Sequence, residues 1–291
     1  MKIKRYNIEQ LKKYSVVLSP AEQLMLLGGN RYEEGKYGVI VFDDDNNLIK
    51  IISYNDLFIN GLSNYSELAG YSPSNVTQCT LSSGVTCFIL QNSDFFAEYN
   101  NFTEGFTQEM ILGLERYKVD LYYFNEDNPV YYKGKKQLGS HYNKNTNLIA
   151  MRTYKDDPTN SISLEHRVHE VIHSFQKNAF NQTMDDKDTL NLEYQAYVVS
   201  VLFAKGKGGY NDMIDNWKWM DQYIHKDGTN DFYVDKAIIN ELGNQAVEWY
   251  LSNGADIYRD KMEAKGIEPI LNEDFIYNWE ALFQSLGIKV R

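Results

Sequence analysis

The residues best suited to chemistry are His169-Glu170-Val171-Ile172-His173. On an α-helix, positions four apart stack on one face, so His169 and His173 aim two imidazoles at one point. Two imidazoles so placed can share a metal such as zinc. The Glu170 carboxylate beside them can then take a proton from a metal-polarised water. The chain has only 5 histidines, and two of them fall at this spacing around a glutamate, which makes the signal specific. The bland alternative is a solvated His/Glu helix face.

Two histidines do not complete such a site, because catalytic zinc takes three protein ligands and keeps one position open. The H-E-x-x-H segment resembles the active-site helix of the zincin metallopeptidases. In metzincins the third ligand is a histidine that follows an intervening glycine; those positions hold Ala179 and Gln176 here, which excludes that group. In gluzincins the third ligand is a glutamate about twenty residues downstream, on the next helix. Glu193 stands at that place in Leu190-Asn-Leu-Glu-Tyr-Gln-Ala-Tyr197, so the chain resembles the gluzincins, with spacing similar to the thermolysin-like pattern. The resemblance covers residues 163–197. It implies Zn2+ held by His169, His173 and Glu193, Glu170 as catalytic base, and a peptide or protein substrate. Asp185, Asp186 and Asp188 are rival ligands in the connecting loop, and a solvated helix position is the plain alternative for Glu193. The chain departs from the thermolysin-like pattern at Tyr197, where an aspartate would orient a ligating histidine. Its hydroxyl, a backbone carbonyl or another carboxylate must then accept the free imidazole N–H.

Hydrolysis of an amide also needs a donor for the developing oxyanion. Tyr194, Tyr197, His166 and His225 all remain candidates, although His166 also reads as a plain first-turn residue. In zincins the strand before the active-site helix binds substrate as an added strand, and Leu148–Thr153 is placed for that role.

These residues need elements to hold them. Ser163 is a good N-cap, and Glu165 suits the first turn of a helix. Leu164, Val168, Ile172 and Phe175 recur at helical spacing and form a stripe to bury. Asn191–Ala204 reads as the next helix, with Ala196 and Ser200 small enough on the Glu193 face to let the helices approach closely. Further helices are expected over Gly209–His225, Val234–Asn253, Ile257–Gly266 and Phe275–Leu286. Upstream, Gly38–Phe42 and Leu48–Ser53 flank the acidic turn Asp43–Asn47 and predict a hairpin; the turn lacks the Gly and distal Glu of a calcium loop. Thr107–Tyr117 reads as a helix, and Asp120–Phe124 and Val130–Tyr132 as strands. Residues 55–105 carry no clear pattern. The expected fold class is α+β and zincin-like, with a strand-rich N-terminal lobe over 30–160, a mainly helical lobe over 161–291, and the active-site helix between them.

The net charge of −11 argues against a nucleic-acid partner, which needs clustered Lys and Arg. No apolar run is long enough for a membrane span. Residues 1–29 differ from the rest, carrying Lys2, Lys4, Arg5, Lys12 and Lys13 against Glu9 and Glu22. Leu18, Ser19, Glu22, Leu26, Gly28 and Gly29 resemble a double-glycine export leader, with Gln23 departing where a leucine is usual. The resemblance implies cleavage after Gly29 by the peptidase domain of an ABC exporter, and a secreted or periplasmic bacterial protein. A helix closed by a glycine C-cap reads much the same. Cys79 and Cys87 flank a turn at Ser82-Ser83-Gly84; a disulfide and two free thiols both remain open. Besides a zinc metallopeptidase, the sequence admits a non-catalytic secreted protein that keeps the fold for binding, and an exported toxin or effector protease.

Overall fold

The structure is a computed structural model. It describes residues 30–61, 64–65, 68, 71, 75–153, 162–182, 188–210, 215–227, 231–249 and 271–291. The leader segment 1–29, the expected helix Ile257–Gly266, and Asp185 and Asp186 lie outside the described residues.

The chain is mixed α/β. Strands β1 (Arg31–Glu34), β2 (Gly38–Phe42) and β3 (Leu48–Ser53) form an antiparallel sheet in that order. The acidic turn between β2 and β3 closes on itself: Asp43 Oδ1 accepts from the backbone N–H groups of Asp45 and Asn47. Asn46 sits there at φ 60°, a left-handed position that asparagine tolerates. Helix α1 (Tyr54–Asn60) follows, then the hairpin β4 (Val76–Thr80) with β5 (Thr86–Leu90). That hairpin sets Cys79 directly opposite Cys87, both as free thiols. Helices α2 (Ser93–Thr103) and α3 (Gln108–Tyr117) lead into a second sheet.

In the second sheet, β10 (Leu148–Arg152) lies between β6 (Asp120–Phe124), parallel to it, and β9 (His141–Asn143), antiparallel to it. Strands β7 (Tyr131–Tyr132) and β8 (Lys135–Lys136) make a small ladder beside it. Alternate side chains of a strand face opposite ways, and this sheet uses both sides. Tyr122, Phe124, Leu148 and Ala150 pack on Ile40, Phe42 and Leu48 of the first sheet. Leu121, Ile149 and Met151 pack on the helices. Burial on both faces explains why Leu148-Ile-Ala-Met151 reads as one continuous apolar run. The expected substrate edge must therefore be corrected: β10 is the central strand, with partners on both sides.

Helices α4 (Leu164–Asn178) and α5 (Thr189–Lys207) pack closely together, with Ala196 and Ser200 fully buried on α5. α5 is apolar nearly all round, as a helix inside a core must be. It ends where Gly208, at φ 75°, turns its N–H back to Lys205 O.

Beyond α5 the helical expectations change. Gly209–His225 is a 3-10 helix over Asp215–Tyr223 followed by strand β11 (Ile224–Lys226). Val234 ends strand β12 (Phe232–Val234), and helix α6 (Ile238–Trp249) starts only after the Asp235 side chain accepts from Ala237 N–H. The last helix is shorter than expected, α7 (Trp279–Ser285), and strand β13 (Lys289–Val290) follows it. β11, β12 and β13 form a third sheet, in which β12 and β13 pair in parallel. Strands this short leave no readable period, and their partner lies far away in sequence. The largest core cluster joins Phe95 and Phe102 of α2, Met110 and Leu114 of α3 and Phe175 of α4 to Phe283 of α7, so it crosses the 160/161 boundary.

Candidate metal centre

The site rests on how α4 is anchored. Ser163 caps it by accepting from His166 N–H at 3.3 Å. Arg167, one turn in, is buried, and its guanidinium donates to the backbone carbonyls of Ile162, Asn101, Phe102 and Glu104. One side chain thereby ties the start of α4 to the C-terminal end of α2, meeting carbonyls that the helix leaves without a partner of its own. On the other side, Gly113 of α3 lets the Phe175 ring approach so closely that an added Cβ would sit 2.5 Å from it.

On this scaffold, His169 and His173 project from α4 toward Glu193 on α5. The two Nε2 atoms lie 3.0 Å apart, and Glu193 Oε2 is 3.4 Å from His169 Nε2 and 3.5 Å from His173 Nε2. Among the described residues these three form a cluster able to hold a metal. Tetrahedral zinc with N and O ligands separates its donors by about 3.3–3.5 Å. Two of the three separations match, and the third is shorter by a few tenths of an ångström. Two imidazole nitrogens so close require a shared proton or a cation between them, so the donor set fits a metal of this class.

Charge follows the same logic. Burial opposes the charged form of His173, but the Glu193 and Glu170 carboxylates and the Gln176 hydrogen bond outweigh it and raise the imidazole to about 9. Burial likewise opposes the Glu193 carboxylate, yet His173 and His169 hold it well below the usual range. Glu170 is buried at 6% exposure, and its Oε2 has no hydrogen-bond partner among the described residues. An orphan carboxylate oxygen is costly inside a protein, and beside these three donor groups it is free to accept a proton.

The other residues named from sequence separate clearly. Asp188 accepts from Asn272 Nδ2 at 2.6 Å and does not join the cluster. Tyr194 is fully buried and donates to Leu242 O at 2.6 Å, packed among Trp249, Tyr277 and Trp279. His166 is exposed against its own cap, Ser163. His225 stacks on Tyr233 across β11 and β12. Tyr197 lies against a site residue, its ring 6.2 Å from His169 and edge-on. Burial first, and then the Glu165 carboxylate, push its phenol upward, so it stays an O–H donor at neutral pH.

The acceptor beside His173 is a side-chain amide, and not the Tyr197 hydroxyl, backbone carbonyl or further carboxylate expected for a ligating histidine. Gln176 Oε1 sits 2.8 Å from His173 Nδ1, and its amide nitrogen reaches Leu192 O and Gln195 Oε1, each at 3.0 Å. Sequence reading used Gln176 only as a position lacking glycine. Its spacing, one helical turn after His173, was the available signal. Arg167 carried none, because its partners are backbone carbonyls of another element. No family model matches the chain, and neither a curated protein nor a solved structure matches it.

Proposed function

We propose that this protein is a zinc metallopeptidase of zincin type, with His169, His173 and Glu193 holding the metal and Glu170 acting as general base. The observation that carries the proposal is the convergence of three donor atoms from two helices beside a buried, unpartnered carboxylate oxygen. Bound zinc would lower the pKa of a water to about 7 and polarise the scissile carbonyl. Glu170 accepts the proton of the attacking water through Oε2 and passes it to the leaving nitrogen. The Tyr197 hydroxyl donates to the developing oxyanion. His169 and His173 supply neutral imidazoles, and Glu193 supplies the negative charge that balances the site.

Residues 1–29 serve in this reading as a double-glycine leader, removed by an ABC exporter so that a secreted or periplasmic protein begins at Asn30.

The test is Glu170→Gln in purified protein, with zinc measured by elemental analysis and turnover measured on a diverse peptide library. Zinc stays stoichiometric and hydrolysis falls by about 10²–10⁴. Unchanged turnover in the variant would refute the mechanism. Stoichiometric zinc with no turnover in the native protein would favour the non-catalytic binding reading.

A further inference from the structure

The buried amide of Gln176 has only one chemically sensible orientation, and that orientation decides which nitrogen of His173 faces the cluster. Gln176 is fully buried, so water cannot satisfy it. One end of its amide faces Leu192 O at 3.0 Å. A backbone carbonyl only accepts, so that end must be the NH2 group. The same nitrogen lies 3.0 Å from Gln195 Oε1, and Gln195 is itself 1% exposed. The carbonyl end of Gln176 is then forced toward His173 Nδ1, 2.8 Å away. An oxygen at that distance requires a hydrogen on Nδ1. In neutral His173 the other nitrogen, Nε2, is therefore the one with the free lone pair, and Nε2 is the atom that meets His169 and Glu193.

We infer that Gln176 is a positioning residue that locks His173 in the Nδ1–H tautomer, with Leu192 O as the fixed reference that sets the whole chain of hydrogen bonds. Leu192 directly precedes Glu193, so one amide sets both the histidine's tautomer and the register of α4 against the helix that carries the third ligand. A flipped amide would place its oxygen against Leu192 O, which can only accept, and lose that bond. This inference deepens the zinc reading and rests on it for its purpose, but the tautomer itself is a property of the metal-free protein.

The experiment is imidazole 15N NMR of the metal-free full-length protein, titrated upward until the His173 ring shifts report the neutral form, together with zinc affinity from competition with a chelator. Three proteins are compared: native, Gln176→Leu and Gln176→Glu. Glutamate in this place keeps an oxygen acceptor for Nδ1–H and gives up the donation to Leu192 O. The native protein shows Nδ1–H at His173, Gln176→Glu keeps it, and Gln176→Leu gives a mixture of tautomers. Zinc affinity falls about 10–100-fold in Gln176→Leu, in line with other partners that orient ligating histidines, and recovers in Gln176→Glu. An Nε2–H tautomer in the native protein, or Nδ1–H persisting undiminished in Gln176→Leu, overturns the inference. If Gln176→Leu does not fold, the native tautomer and the Gln176→Glu comparison still decide. The expected tautomers with no zinc bound by any of the three would leave the lock standing and sink the metallopeptidase reading instead.

Discussion

Two buried ionisable centres in this molecule behave in opposite ways. Between the first sheet and helices α2 and α3, Lys36, Glu115 and Asp120 are all at most 9% exposed. There burial dominates. It raises Asp120 to about 7, against the pull of the Tyr37 and Lys36 backbone N–H groups, and it lowers Lys36 despite the nearby carboxylates. Both groups are pushed toward their neutral forms. Lys36 rests over the Tyr99 ring at 3.9 Å, and Asp120 accepts from Tyr37 N–H at 3.1 Å. At the His169/His173/Glu193 cluster burial is just as deep around His173, but opposite charges meet within 3.5 Å and hold each other charged. Burial alone neutralises; burial with converging partners stores charge. The first arrangement suits structure, and the second suits holding a cation.

The largest expected effect separates the two centres outright. On the proposed zinc reading, Glu193→Gln removes the only carboxylate of the His169/His173/Glu193 cluster and should reduce bound zinc from stoichiometric to a small fraction. Asp120→Asn should leave zinc unchanged. Elemental analysis of both variants makes the comparison, and equal zinc loss in the two would end it.

A second effect is pH-dependent stability in chelator-treated protein. Asp120 binds its proton more tightly when folded, so its contribution is most favourable below about 4 and declines as pH rises to about 7. The gap between 3.8 and about 7 is worth up to about 4 kcal/mol. His173 is also raised, from 6.5 to about 9, so its stabilisation is complete below 6.5 and lost as pH climbs through 9. Denaturant midpoints across pH should show two separate declines. Asp120→Asn should remove the lower one, and zinc should remove the upper one by replacing the proton. A single decline that neither change affects would contradict the assignment.

The smallest effect concerns the support beneath the metal cluster. Gly113→Ala gains up to about 1 kcal/mol in helix propensity. Its new Cβ meets the rigid, buried Phe175 ring at 2.5 Å, an overpacking that costs about 1–3 kcal/mol. The net outcome is a loss of stability by thermal unfolding, with some zinc affinity lost as α4 shifts. A more stable variant would show that α3 is free to move away.

Much of the site was legible from residue spacing. His169, His173 and the stripe Leu164, Val168, Ile172 and Phe175, buried except for the half-buried Leu164, follow from the helical period, which is local and needs no partner. The hairpin of β2 and β3 and the Ser163 cap were readable for the same reason. The twenty-residue step to Glu193 was readable only by resemblance, since nothing local says where the next helix will lie. The third sheet was missed because Phe232–Val234 is too short to show a period and pairs with residues near the end of the chain.

Sequence alone therefore determined that His169 and His173 share one face of one helix, and the structure brings Glu193 to them. Only the tertiary structure decided that β10 is a central strand, that Tyr194 serves the core, and that Gln176 rather than Tyr197 orients His173. The reason is physical. Helical spacing fixes which side chains share a face, whereas the partner of a buried polar group is fixed by whichever element the core packs against it.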